Sequence, residues 1–81
     1  MRSPVVKRSL SVAGRKTSVS LEDPFWQALK EIAGTRKMSV SDLVAIINSE
    51  RQDCNLSSAI RMFVLDFYRL QFLRRQERAT F

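Results

Sequence analysis

This 81-residue sequence predicts a mainly α-helical fold with one short strand, an α+β architecture that assembles as a homodimer. Three observations predict it. Lys16-Thr17-Ser18-Val19-Ser20-Leu21 alternates with a period of two, the pattern of a half-buried strand. Downstream, apolar residues recur at helical spacing in three stretches, each opened by a capping residue. The third stretch is apolar on more than one face, and a chain this short has too little material to cover both.

Residues 1–14 mix Ser, Val and basic side chains, and we read them as a basic N-terminal arm carrying Arg2, Lys7 and Arg8. Leu10 and Val12 alternate there with Ser9 and Ser11, so a strand is the alternative to a mobile arm, with the arm slightly favoured. Residues 15–75 form the folded domain and 76–81 a C-terminal tail. Within the strand, Thr17, Val19 and Leu21 face the core while Lys16, Ser18 and Ser20 face away. Asp23-Pro24 opens the first helix, Asp23 as the cap and Pro24 with a φ suited to the first turn. Phe25, Trp26, Leu29, Ile32 and Ala33 make its apolar stripe, and Gly34 marks its end. Ser39 caps a second helix, with Asp42 three residues on and Met38 facing Leu43 as a hydrophobic staple. Val40, Leu43, Val44 and Ile47 supply its apolar face. Ser49 to Asn55 reads as a loop, and Ser57 or Ser58 caps a third helix running from about Ala59 toward Arg75.

Composition narrows the chemistry. With one cysteine, Cys54, and no histidine, the chain predicts no disulfide framework, no metal site and no cofactor. No catalytic residues are assigned: a base for Cys54, a phosphate-cradling glycine loop and paired carboxylates are all missing from the sequence, so an enzyme is not expected. The longest apolar stretch, Ala59 to Phe72, is broken by Arg61, Asp66 and Arg69, which argues against a membrane span, and the expected location is the cytoplasm, at the nucleoid. A formal charge of +6 predicts an anionic partner, with nucleic acid ahead of a membrane surface. The charge is concentrated at the two ends, where Arg2, Lys7, Arg8, Arg15 and Lys16 precede any acidic residue and Arg69, Arg74, Arg75 and Arg78 follow.

A lone strand needs a neighbour for its backbone donors and acceptors. Arg8 to Val12 offers one through a turn at Ala13-Gly14, where Ala stands in a position that favours Gly, Asn or Asp. The same strand of a second subunit, antiparallel across a two-fold axis, offers the other, and it also accounts for the surplus apolar helix surface.

The order Lys16-Thr17-Ser18-Val19-Ser20-Leu21, then Asp23-Pro24-Phe25-Trp26 with Leu29, then Met38-Ser39-Val40-Ser41 resembles the ribbon-helix-helix repressors. The likeness is greatest to a bacterial subgroup with Phe-Trp early in its first helix and Leu56-Ser57-Ser58-Ala59 downstream. It covers Arg15 to Ile47, and the subgroup likeness reaches Tyr68. The resemblance implies an intertwined homodimer, with higher oligomers left open, whose paired strands lie in the major groove of double-stranded DNA. Base contacts would come from Lys16, Ser18 and Ser20, and phosphate contacts from Arg15, Arg36, Lys37, Ser39, Val40 and Ser41. Val19, Leu21, Trp26, Leu29, Leu43, Ile47, Phe63 and Phe67 would form the dimer core. The expected function is a sequence-selective transcriptional regulator, with a repressor favoured over an activator. Serines at two of the three outward positions discriminate poorly between bases, which shifts weight to phosphate contacts and DNA shape.

Two rivals stand beside this reading. A helix-turn-helix over Ser39–Asn48 and Ser58–Phe67 would put Phe, Met, Val and Leu where a reading helix needs polar residues. A dimeric protein-interaction module, such as an antitoxin or adaptor, would use the helices or basic ends against another protein.

Overall fold

Residues 4–51 and 55–79 are described by a computed structural model of the chain. They run in the order β1 (Val5–Val12), β2 (Arg15–Glu22), α1 (Asp23–Thr35), α2 (Val40–Glu50) and α3 (Leu56–Ala79). Arg2 and Cys54 lie outside the described residues.

The two strands form an antiparallel hairpin, with Val12 opposite Arg15 and Val5 opposite Glu22. This corrects the expectation of a mobile arm at residues 5–12 and of a single strand in the chain. The physical reason is the two-residue turn: Ala13 takes φ 52° and Gly14 φ 80°, so both central residues are left-handed, as the tight turn matched to strand twist requires. Alanine is tolerated there at a steric cost of about 1–2 kcal/mol. The strand begins one residue before the predicted stretch and ends one after it.

Each helix boundary shows which local signal prevailed. Asp23 is the first residue of α1 rather than its cap; Glu22 precedes it with no side-chain cap bond. Helix α1 runs past Gly34 to Thr35 and closes on a left-handed residue, Lys37 (φ 55°), with the Met38 amide bonded to Ala33 O at 3.0 Å and the Lys37 amide to Gly34 O at 3.1 Å. That pair of bonds is the Schellman closure, with lysine where glycine is commonest. Helix α2 starts as predicted, the Ser39 hydroxyl accepting from the Asp42 amide at 3.0 Å. Helix α3 begins earlier than predicted, because Asn55 Oδ1 accepts from the Ser58 amide at 2.8 Å and so takes the capping role expected of Ser57 or Ser58.

The core is one cluster to which every element contributes. Val12, Val19 and Leu21 come from the hairpin, Leu29, Ile32 and Ala33 from α1, Leu43, Val44 and Ile47 from α2, and Ala59, Ile60 and Val64 from α3. Leu21, Leu29, Ile32, Leu43 and Ile60 are fully buried, and each contributes about 1.5–3 kcal/mol by leaving water. The hairpin lays its inner face on the three helices and presents the other outward. Helix α3 continues beyond the core, leaving Met62, Leu65, Tyr68, Leu70, Phe72 and Leu73 exposed. No helix among the described residues is long and apolar enough to cross a membrane, and no cluster of metal-ligating side chains occurs among them.

Candidate nucleic-acid interface

The outward face of the hairpin follows from the pleat. Residues opposite one another in an antiparallel pair share a face, so the register groups Ser11 with Lys16, Ser9 with Ser18, and Lys7 with Ser20. Lys7, Ser9, Ser11, Lys16 and Ser18 are exposed and Ser20 is half-buried. The result is a surface of two ammonium groups among four hydroxyls, all of which can donate hydrogen bonds, with Arg15 exposed at the turn. Lys16, Ser18 and Ser20 lie on this face as the alternation required. Lys7, Ser9 and Ser11 join them although the sequence placed Lys7 in an arm. Their signal was the alternation of Leu10 and Val12 with Ser9 and Ser11.

Arg8 points the other way. It opposes Val19 on the inner face, its guanidinium lies 4.8 Å from the Trp26 ring centroid, and Nη2 donates to Asp23 Oδ1 at 3.1 Å. The Arg8 side chain is 20% exposed against 59% for Asp23. Arg8 therefore belongs to the packing between β1 and α1 rather than to a free cationic arm.

The residues expected to hold phosphates divide into two regions. Arg36 and Lys37 are exposed at the end of α1, with the Arg36 guanidinium 5.3 Å from the Phe63 ring centroid. Ser39 is exposed, and Val40 and Ser41 are half-buried. The first intrahelical bond of α2 runs from the Leu43 amide to Ser39 O, and the Asp42 amide is taken by the Ser39 side chain. The Val40 and Ser41 amides thus remain at the positive end of the helix dipole without an intrahelical acceptor. One cavity at the hairpin turn is lined by Arg15, Lys16 and Thr17 together with Asn48 and Arg51, so the end of α2 that meets the turn is its C-terminal end. The N-terminus of α2 lies ~16 Å away along an 11-residue helix. Among the described residues, no hydrogen bond or ion pair joins residues 36–41 to the outward face of the hairpin.

The residues expected in a dimer core are already packed within one chain. Val19, Leu21, Leu29, Leu43 and Ile47 are buried, while Trp26, Phe63 and Phe67 pack half-buried against the cluster.

At the far end of the hairpin from the turn, α3 bonds to β2. Ser57 Oγ accepts from the Ser20 amide at 2.9 Å, Arg61 Nη2 donates to Ser20 O at 3.0 Å, and Arg61 Nε donates to Glu22 Oε1 at 3.0 Å. A bond from its own backbone, and then the Arg61 guanidinium, hold the Glu22 carboxyl below its ordinary pKa. Farther along α3, desolvation and a bond to Glu31 raise the Tyr68 hydroxyl above its ordinary value. Neither Ser57 nor Arg61 carried a sequence signal for this role, because serine after a polar loop reads as a helix cap.

Comparison with known proteins yields two findings. The sequence model of a family described as "Ribbon-helix-helix domain" matches residues 5–68. A solved structure of an uncharacterized protein from Bordetella pertussis Tohama I is similar at 33% identity and a TM-score of 0.74, over 90% of this chain and 62% of that one. The chain thus spans less than two thirds of the length of that relative. No curated protein matches.

Proposed function

Because the chain belongs to the ribbon-helix-helix domain family, whose members generally bind DNA and dimerise, we propose that it is a DNA-binding transcriptional repressor that acts as a homodimer. The observation that carries this reading is the outward face of the hairpin. It presents Lys7, Lys16 and four serine hydroxyls with no acidic residue until Glu22, which is engaged by Arg61. A two-stranded ribbon fits the major groove. In this reading Lys16 donates to guanine O6 or N7, and Ser18 and Ser20 meet neighbouring base edges. Lys7 and Arg15 contact phosphates, joined by Arg36, Lys37, Ser39 and the Val40 and Ser41 amides.

The grounds for the dimer differ from those the sequence offered. Strand β2 is not alone, since β1 satisfies one of its edges. What remains in favour of a second copy is family membership and the exposed apolar surface of α3, where Phe72 is 61% and Leu65 50% exposed. That surface also supports the second reading, a dimeric interaction module such as an antitoxin or adaptor that grips another protein with α3.

Titrating duplex-DNA binding against salt separates the two. A dimer touching roughly four to eight phosphates gives a slope of log K against log salt of about −4 to −7. No binding at low salt would overturn the DNA reading and leave the interaction module.

A further inference from the structure

Along an antiparallel strand, successive residues direct their backbone groups to opposite edges. The two-residue turn makes Val12 and Arg15 the first hydrogen-bonded pair. Arg15, Thr17, Val19 and Leu21 therefore bond to β1, and the amides and carbonyls of Lys16, Ser18 and Ser20 point to the other edge of β2. That second edge is unequal along its length. At Ser20 both groups are taken by α3, the amide by Ser57 Oγ and the carbonyl by Arg61, which Glu22 holds in place. At Lys16 and Ser18 the backbone groups have no partner among the described residues.

An antiparallel copy of β2 related by a two-fold axis has few ways to use this edge. Centred on Ser18, it needs Ser18 opposite its own mate and Lys16 opposite Ser20 of the partner subunit, so Ser57 and Arg61 must let go of Ser20. Centred on Lys16, it sets two lysines face to face, which is unfavourable. Centred on Thr17, it pairs Lys16 with Ser18 of the partner subunit twice over, uses only the free groups and leaves the α3 bonds intact.

We propose that Ser57 and Arg61 form an edge cap on β2 that fixes the register of strand pairing between two copies of this chain, centred on Thr17. This rests on the dimer reading above. The product is a four-stranded sheet ordered β1, β2, β2 of the partner, β1 of the partner. Each of its two central rows carries one lysine among three serines, as Ser11, Lys16, Ser18 of the partner subunit and Ser9 of the partner subunit. The cap thereby sets the spacing of the two central lysines over the groove.

The test uses the full chain with Cys54→Ser, the other thiol being removed. Lys16→Cys and Ser18→Cys are introduced on separate chains, both at exposed outward positions. The chains are mixed in equal amounts, refolded together and treated with a short thiol cross-linker. Keeping both Ser20 bonds predicts that the mixed Lys16→Cys/Ser18→Cys product exceeds the Ser18→Cys homodimer product roughly tenfold or more. Adding Ser57→Ala and Arg61→Met should bring up the Ser18→Cys homodimer product. Dominance of that product with the cap intact would overturn the register while leaving the dimer standing, and so would a pattern indifferent to the cap substitutions. A chain that sediments as a monomer would overturn the dimer reading itself, and the register with it.

Discussion

Replacing Lys7 by Ala tests whether β1 faces DNA, and the structure sets the size of the effect. Lys7 stands opposite Ser20, four residues along β2 from Lys16, so the two lysines are ~13 Å apart along the ribbon. With one phosphate per ~3.4 Å of rise on each strand, Lys7 meets the duplex several phosphates away from the base edge that Lys16 addresses. If paired β2 strands occupy the middle of the groove, β1 lies about 7 Å from its axis at a strand spacing of ~4.8 Å. The groove is ~12 Å wide, so β1 reaches its phosphate wall. Lys7→Ala then removes one phosphate contact per chain and two per dimer, making the salt slope shallower by ~1.8, which over a fourfold rise in salt changes the affinity loss by roughly tenfold. Fluorescence anisotropy of a labelled duplex across a potassium chloride series measures it. Arg8→Ala is the control: it deletes a neighbouring charge that faces α1 instead, and it should leave the slope unchanged. An unchanged slope for Lys7→Ala beside a changed one for Arg15→Ala would refute the placement of β1 against DNA.

Three further outcomes follow from the packing. Gly14→Ala should destabilise the hairpin by about 1 kcal/mol because its φ of 80° is left-handed, and Ala13→Asn should regain a similar amount, read as opposite shifts in the urea midpoint. Arg8→Ala should cost about 1 kcal/mol, mostly the cation–π contact because Asp23 is largely exposed, with a red shift of Trp26 fluorescence. Glu22 has a lowered folded pKa, so its stabilisation is present above the unfolded value of ~4.3 and is lost as pH falls through the folded one. The urea midpoint should drop on that acidic limb, and Glu22→Gln should flatten it. Tyr68, with a raised folded pKa, gives stability present below ~10 and lost as pH rises through the folded value, and Tyr68→Phe should remove that alkaline limb.

The sequence made legible what depends on local signals and periodicity. Ser39 with Asp42 marked the start of α2, the spacing of Leu29, Ile32, Leu43 and Ile47 marked core faces, and the alternation over residues 16–21 sorted Val19 and Leu21 inward from Lys16 and Ser18 outward. It failed where a residue departs from its commonest backbone role. Ala13 and Lys37 both occupy left-handed conformations usually given to Gly or Asn, so local pattern points away from a tight turn at Ala13-Gly14 and toward an end of α1 at Gly34. It failed again where a side chain had two partners to choose from. Ser57 suits a helix N-terminus, but Asn55 takes that place and Ser57 reaches a strand 37 residues away. Arg8 read as free charge until the fold supplied Trp26 and Asp23. No local pattern encodes such choices, because the competing groups meet only after the core has formed.

The hairpin also changes what a partner must provide. A lone β2 would depend on a second chain for all of its strand pairing, making dimerisation a condition of folding. With β1 on one edge of β2 and α3 on part of the other, Lys16 and Ser18 are the β2 residues whose edge groups find no partner among the described residues, and the core is already closed within one chain. Strand pairing between copies then adds few hydrogen bonds, each worth about 1 kcal/mol. The greater part of a dimer's stability must come from apolar area, and the exposed Leu65, Tyr68, Phe72 and Leu73 of α3 offer it. In the proposed dimer, ribbon and helix would divide the work: β2 would align two copies in register, and α3 would hold them together. On that division, Phe72→Glu should shift the monomer–dimer equilibrium strongly toward monomer in sedimentation while the far-ultraviolet dichroism per chain is retained. Loss of folding together with dimerisation would show that the single chain is not self-sufficient after all.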